Sequence, residues 1–174
     1  MAVRQILHYP DKRLRIPCKP VTAFDDELRS LVEDLIETMY HGRGVGLAAP
    51  QIGVSKRLFV VDVANNEEDA PSEIRVFINP QIIEREGRVV WNEGCLSFPG
   101  IHEDIERAER IKAAAYDAAG ERFELEADGL LAVAIQHESD HLDGTLIIDH
   151  ISMLRRRLVN RTMKRQEKQS AKSA

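Results

Sequence analysis

The sequence predicts an α+β fold, in which short antiparallel strands and hairpins pack around a central buried helix, with one helix before them and one after. Three observations carry this. Apolar residues recur at helical spacing over 25–41, short strand-like runs bounded by turn residues fill 57–126, and a helical segment apolar on all sides follows at 128–143. Helices kept apart from a run of strands fit α+β better than a doubly wound sheet.

The first helix opens on Asp25, Asp26 and Glu27, whose negative charge suits a helix N-terminus. Leu28, Leu31, Val32, Leu35, Ile36 and Met39 then share one face, and Gly42 is the expected stop. The stretch 44–53, with two close glycines and a proline, breaks regular structure. Strands are expected at 57–63 and 74–79, with a polar, acidic surface loop at 65–72 between them. One hairpin is expected over 81–91, turning near Glu86 and Gly87. A second pairs 110–116 with 122–126 across Ala119 and Gly120. The buried helix spans 128–143 with Gly144 as its cap, a strand-like 145–148 follows, and a third helix runs from Ser152 into the tail. Ile151, Leu154 and Leu158 form the apolar strip expected to dock that last helix.

The chain has 174 residues, 43% hydrophobic and 30% charged. That suits one globular domain large enough to fold without a disulfide or metal, and argues against a disordered or collagen-like chain. The expected division is a single domain over 1–152, with 153–174 as a basic helical tail of the same domain. The longest wholly apolar run, 130–135, is far too short to cross a bilayer. The N-terminus lacks the apolar core of a signal peptide, and two cysteines in unrelated contexts make no disulfide framework, so the cytoplasm is the expected compartment. The net charge of −5 conceals an asymmetry. From 154 onward there are eight Lys or Arg and one acid, while the rest of the chain carries 16 basic against 28 acidic residues.

His137-Glu138-Ser139-Asp140-His141 places H-E-x-x-H inside the buried helix. Residues four apart sit about 40° apart around a helix, so both imidazoles project from one face, one turn apart, and can hold a single metal ion. Glu138 beside them is placed to move a proton. The motif is short, but a buried helix does not carry two His and a Glu without partners, because unpaired burial costs several kcal/mol per group.

A catalytic metal needs a third protein ligand and an open position. A third His spaced as H-x-x-G-x-x-H fails, since Gly144 fits but Ile147 occupies the ligand position. A downstream acid would have to be Glu167 in the basic tail. Asp149 and His150 follow the helix closely, and Cys95 in Glu93-Gly94-Cys95-Leu96-Ser97 is chemically suitable. A lone cysteine is more often a small buried apolar group, which is also how Cys18 reads, so spacing alone leaves the third ligand open.

Three segments now stand together: Gly44-Val45-Gly46-Leu47-Ala48-Ala49-Pro50-Gln51, Glu93-Gly94-Cys95-Leu96-Ser97 and Gln136-His137-Glu138-Ser139-Asp140-His141. In this order and spacing they resemble the three signature motifs of the peptide deformylases, and the resemblance covers nearly the whole chain. It implies removal of the formyl group from the N-terminal formyl-methionine of new polypeptides. It implies that Cys95, His137 and His141 bind one divalent metal ion, with Glu138 as general acid/base and Gln51 and the backbone N–H of Leu96 stabilising the oxyanion. Ferrous iron is the ion the family implies, with zinc, nickel or cobalt able to take its place. Gly46, Val45, Glu93, Gly94, Leu130, Val133 and Ala134 are the expected substrate contacts. Trp91 is a further candidate for shaping the pocket. His102 stands where one branch of the family frequently has arginine, which alters the expected contacts to substrate backbone.

The stripe Arg157, Arg161, Lys164 and Lys168 on the last helix is expected to contact ribosomal RNA near emerging chains; neither DNA nor a membrane is an expected partner. Two other readings stay open on the sequence. One is a metallopeptidase built on the same helix motif. The other is a non-catalytic, metal-stabilised ribosome-binding module with a closed site.

Overall fold

The computed structural model describes residues 2–174. The elements run α1 (Asp26–His41), β1 (Gly46–Ala48), β2 (Leu58–Val61), β3 (Arg75–Glu86), β4 (Val89–Gly94), β5 (His102–Arg107), β6 (Arg110–Tyr116), β7 (Arg122–Asp128), α2 (Gly129–Leu142) and α3 (Met153–Lys172), with short 3-10 helices between some of them. Five strands form one antiparallel sheet in the order β1-β2-β3-β6-β7, and β4 and β5 pair separately. The α+β expectation holds.

The sheet is filled from both sides. The four residues of β2, Leu-Phe-Val-Val, are all buried, as a strand covered on both faces requires. Phe59 and Val61 face α2 with Phe77, Ala113, Ala115 and Ile135. Leu58 and Val60 face α1, where Leu28, Leu31, Val32, Leu35 and Met39 pack as their spacing predicts. A third core joins Phe98, Ile101 and Ile105 to Leu14, Ile147, Ile148, Val159 and Met163, and so ties β5 and α3 to the loop that follows Cys95.

Several expectations are corrected. Residues 74–79 and 81–86 are not two elements but one strand, bulged where Pro80 cannot donate to the ladder; Asn79, at φ 50°, instead bonds the backbone of Val21 in both directions. The turn near Gly87 is real, but the expected hairpin over 81–91 is not, because β3 pairs with β6 while β4 leaves for β5. The strand β5 has no counterpart among the expected elements. Its sequence, His-Glu-Asp-Ile-Glu-Arg, buries Glu103 and Arg107 on the same side as Ile105, so the charges mask the alternation. Part of 44–53 is regular after all, as β1 and a 3-10 helix. Helix α1 stops at Gly42, but the left-handed residue there is Arg43, at φ 56°. Residues Ile147–His150 form a 3-10 helix rather than a strand. The docking strip of α3 is also displaced. Leu154 and Leu158 are exposed at 68% and 40%, while Val159 and Met163 are buried. The inward face runs Arg156, Val159, Met163 and Gln166, at helical steps of three and four, with Gln166 donating to the carbonyl of Pro99 at 2.8 Å.

Candidate metal centre

Helix α2 runs beneath the sheet with nine of its fourteen residues buried. That burial points His137 and His141 inward together. The loop after β4 brings Cys95 against them. Sγ of Cys95 lies 3.4 Å from Nε2 of His141, which lies 3.3 Å from Nε2 of His137. Metal bonds of about 2.0–2.1 Å to nitrogen and about 2.3 Å to sulfur, at tetrahedral angles, separate two nitrogens by about 3.3 Å and nitrogen from sulfur by about 3.6 Å. The three atoms all lie within 4.8 Å of one another, the only such set among the described residues, so they fit a shared cation. Asp149 and His150, the other nearby candidates, point elsewhere: Asp149 takes Arg15 and His150 takes Asp140.

Behind the ligands stands a network of buried charges. Nδ1 of His137 meets Oε1 of Glu93 at 2.8 Å, and Glu93 takes both arms of Arg107 at 2.8 and 2.9 Å. Arg107 also reaches Asp140 at 2.6 Å, and Asp140 meets His150 at 2.8 Å. A carboxylate on the far nitrogen of a ligating His fixes its tautomer and raises its basicity. Glu93, expected among the substrate contacts, lines the cleft described below while spending both carboxylate oxygens on His137 and Arg107. Burial works against charge on His137, yet Cys95 and Glu93 outweigh it and hold its pKa well above the ordinary histidine value. Burial and the neighbouring His137 push His141 well below that value.

Glu138 is buried, and its Oε2 has no hydrogen-bond partner among the described residues. Burial pushes its pKa up to about 7, against the ordinary 4.5. Gln51 is held by the N–H of Ala48, which donates to its Oε1 at 2.9 Å. Its amide nitrogen then faces Ser97 Oγ at 3.1 Å and Cys95 Sγ at 3.6 Å. The backbone around Gly46 lies so close that a Cβ there would sit 2.5 Å from Oε1 of Glu138. One at Gly94 would sit 2.9 Å from the His102 ring.

A cleft of about 640 Å³ opens onto this cluster. Its lining holds Val45, Gly46, Gln51, Gly94, Cys95, Leu96, Leu130, Val133, Ala134, His137 and Glu138, so the predicted site residues converge on one cavity. Of the predicted set, His141 lies beneath the lining. Trp91 and His102 stand at the same cleft. The sequence reading missed Arg107, Asp140 and His150 as supports of the site, and Ser97 as a partner of Gln51.

Comparison with known proteins covers nearly the whole chain. The family model described as polypeptide deformylase matches residues 3–157. A peptide deformylase of Chromobacterium violaceum is 48% identical over 170 residues, covering 98% of this chain and 99% of that one. One of Acidobacterium capsulatum is 51% identical over 168 residues, covering 97% and 98%. The crystal structure of a peptide deformylase from Legionella pneumophila superposes with a TM-score of 0.91 at 44% identity, covering 98% of each chain.

Proposed function

The chain belongs to the peptide deformylase family, and from that premise we propose that its cleft removes the formyl group from N-formyl-methionyl ends of nascent polypeptides, releasing formate. The observation that carries this is the Cys95-His137-His141 cluster with Glu138 beside it at the floor of one open cleft. The third ligand separates it from the metallopeptidase reading, because Cys95 lies against the two rings while Asp149 and His150 are engaged elsewhere.

Cys95, His137 and His141 would hold the cation, which supplies Lewis acidity and lowers the pKa of a water. We assign ferrous iron as the ion in the cell. Affinity alone favours zinc over iron at such donors, so loading follows supply. Glu138 accepts the proton of the attacking water and delivers it to the departing amine; a carboxyl near pKa 7 suits both directions at neutral pH. Gln51, fixed by Ala48, aims its amide at the carbonyl oxygen, and the N–H of Leu96 is the second donor; one such donor is worth about 3–4 kcal/mol in the transition state. Gly46 gives the peptide backbone close access, as an added strand would need. Val45, Leu130, Val133 and Ala134 form the apolar wall for methionine. Formate release from formyl-Met-Ala-Ser tests this, with metal analysis of protein purified without oxygen. Loss of formyl from that peptide, and no cleavage of its peptide bonds, is the expected result. Inactivity of the iron-loaded protein would refute it.

The exposed stripe Arg157, Arg161, Lys164 and Lys168 of α3 supports a ribosomal contact, which also fits a cytoplasmic substrate. Among the described residues none of the four forms an ion pair, and no helix is long and apolar enough to cross a membrane. Binding through phosphates would weaken steeply with salt. Ribosome affinity at low salt that survives replacement of all four by Gln would exclude it.

A further inference from the structure

Asp62 follows β2, is 1% exposed and takes no part in the ligand cluster. Its carboxylate accepts from Tyr40 Oη at 2.6 Å, Ser72 Oγ at 3.0 Å, and the N–H groups of Ala64 and Glu73 at 3.1 and 3.2 Å. Burial alone would raise its pKa, but these donors together hold it below the ordinary carboxylate value. The knot therefore pins both ends of the 62–73 loop to α1.

That loop also grips β1. The N–H of Asp62 donates to the carbonyl of Val45 at 2.9 Å, extending the β1–β2 ladder by one pair. Nδ2 of Asn65 donates to the carbonyl of Gly44 at 2.8 Å. Both carbonyls just before Gly46 are thus held from one loop. Here the backbone passes closest to the reacting groups: a Cβ at Gly44 would sit 2.7 Å from the Leu96 side chain, and one at Gly46 would meet Glu138. Strand β1 is the sheet edge. With Val45 bonded toward β2, alternation turns the N–H and C=O of Gly46 to the open side. Asn66, next along the loop, lines the cleft.

We propose that Asp62, Tyr40 and Asn65 are positioning residues for the substrate backbone, holding the 44–46 edge at the spacing where a peptide strand docks beside Glu138. This rests on the deformylase reading of the cleft. None of the three touches the reacting atoms; they act through β1.

The test compares formyl-Met-Ala-Ser with formyl-Met alone, which lacks downstream backbone, in wild type, Asn65→Ala, Asn65→Asp and Tyr40→Phe. Asn65→Asp keeps shape and exposure but sets an acceptor against the Gly44 carbonyl. The expected result in each variant is a loss of about five-fold or more in kcat/KM on the tripeptide, carried by KM. The kcat and the activity on formyl-Met should stay within about two-fold of wild type, and Tm within about 2 °C for the exposed Asn65, while Tyr40→Phe, which takes a donor from the buried Asp62, should also lower Tm by several degrees. Equal losses on both substrates, or an unchanged tripeptide KM in Asn65→Asp, would overturn the proposal. A wild type inactive on both substrates would instead refute the deformylase reading beneath it.

Discussion

Glu138 is a buried carboxyl whose Oε2, like Ser139 Oγ and His141 Nδ1 beside it on α2, has no hydrogen-bond partner among the described residues. Glu138→Gln keeps its shape and removes its proton. It should retain metal, seen by elemental analysis, and lose about 10²–10⁴ in kcat. In metal-free protein the raised pKa means that folding favours the protonated form. The stability this contributes is complete below about 4.5 and lost as pH rises through about 7. Thermal melts of the metal-free Gln variant should lack that decline. Gly46 is the second single-residue case. A methyl there would collide with Oε1 and Cγ of the buried Glu138, so Gly46→Ala should cost about 1–3 kcal/mol of stability, read as a lower Tm, and cut kcat/KM by about 10²-fold. The two His and the Glu were legible in the sequence because a helix fixes the angle between residues four apart. The partners of Glu93 were not, because Arg107 lies on a strand whose burial no local pattern reveals.

At the scale of elements, the pairing of β4 with β5 places Arg107 opposite Val89 in register, and its side chain reaches back to Glu93 and Asp140. Arg107→Met would leave the buried Glu93 and the half-buried Asp140 without their shared cation. Breaking a buried pair this way costs about 3–5 kcal/mol, read from denaturant melts. It should also weaken metal affinity by about 10- to 100-fold in chelator competition, since Glu93 no longer orients His137. Helix α3 has a comparable structural role. Val159 and Met163 fill the core beside Phe98, and Arg155 clamps the buried Glu103 at 2.7 and 3.0 Å. The sequence placed this helix correctly along the chain and misjudged its rotation, because Leu154 and Leu158 compete with Val159 and Met163 and only the surface beneath decides which face docks.

Across the whole molecule, four buried or half-buried carboxylates set the response to acid. For Glu93, Asp140, Asp149 and Asp62, burial opposes ionisation, but bonds from Arg107 and His137, His150 and Arg107, Arg15, and Tyr40 and Ser72 respectively win and hold each below its ordinary value. Their stabilisation is present above the unfolded values near 4 and lost as pH falls below them. In Glu138→Gln protein, which lacks the titration described above, calorimetric Tm should therefore hold steady from pH 7 to about 5 and drop steeply below about 4. By itself the sequence determined the three helices, most of the strands, the H-E-x-x-H pair and, through three motifs in order, the family. These are local or collinear signals, set by backbone periodicity and chemistry within a few residues. Only the tertiary structure decided that Cys95 meets the two rings, that Glu93 and Arg107 stand behind them, and that the loop after β2 grips the edge of β1. Each of those contacts joins residues far apart in the chain, and their closeness follows from how the sheet, the β4–β5 pair and α2 bury their apolar faces together.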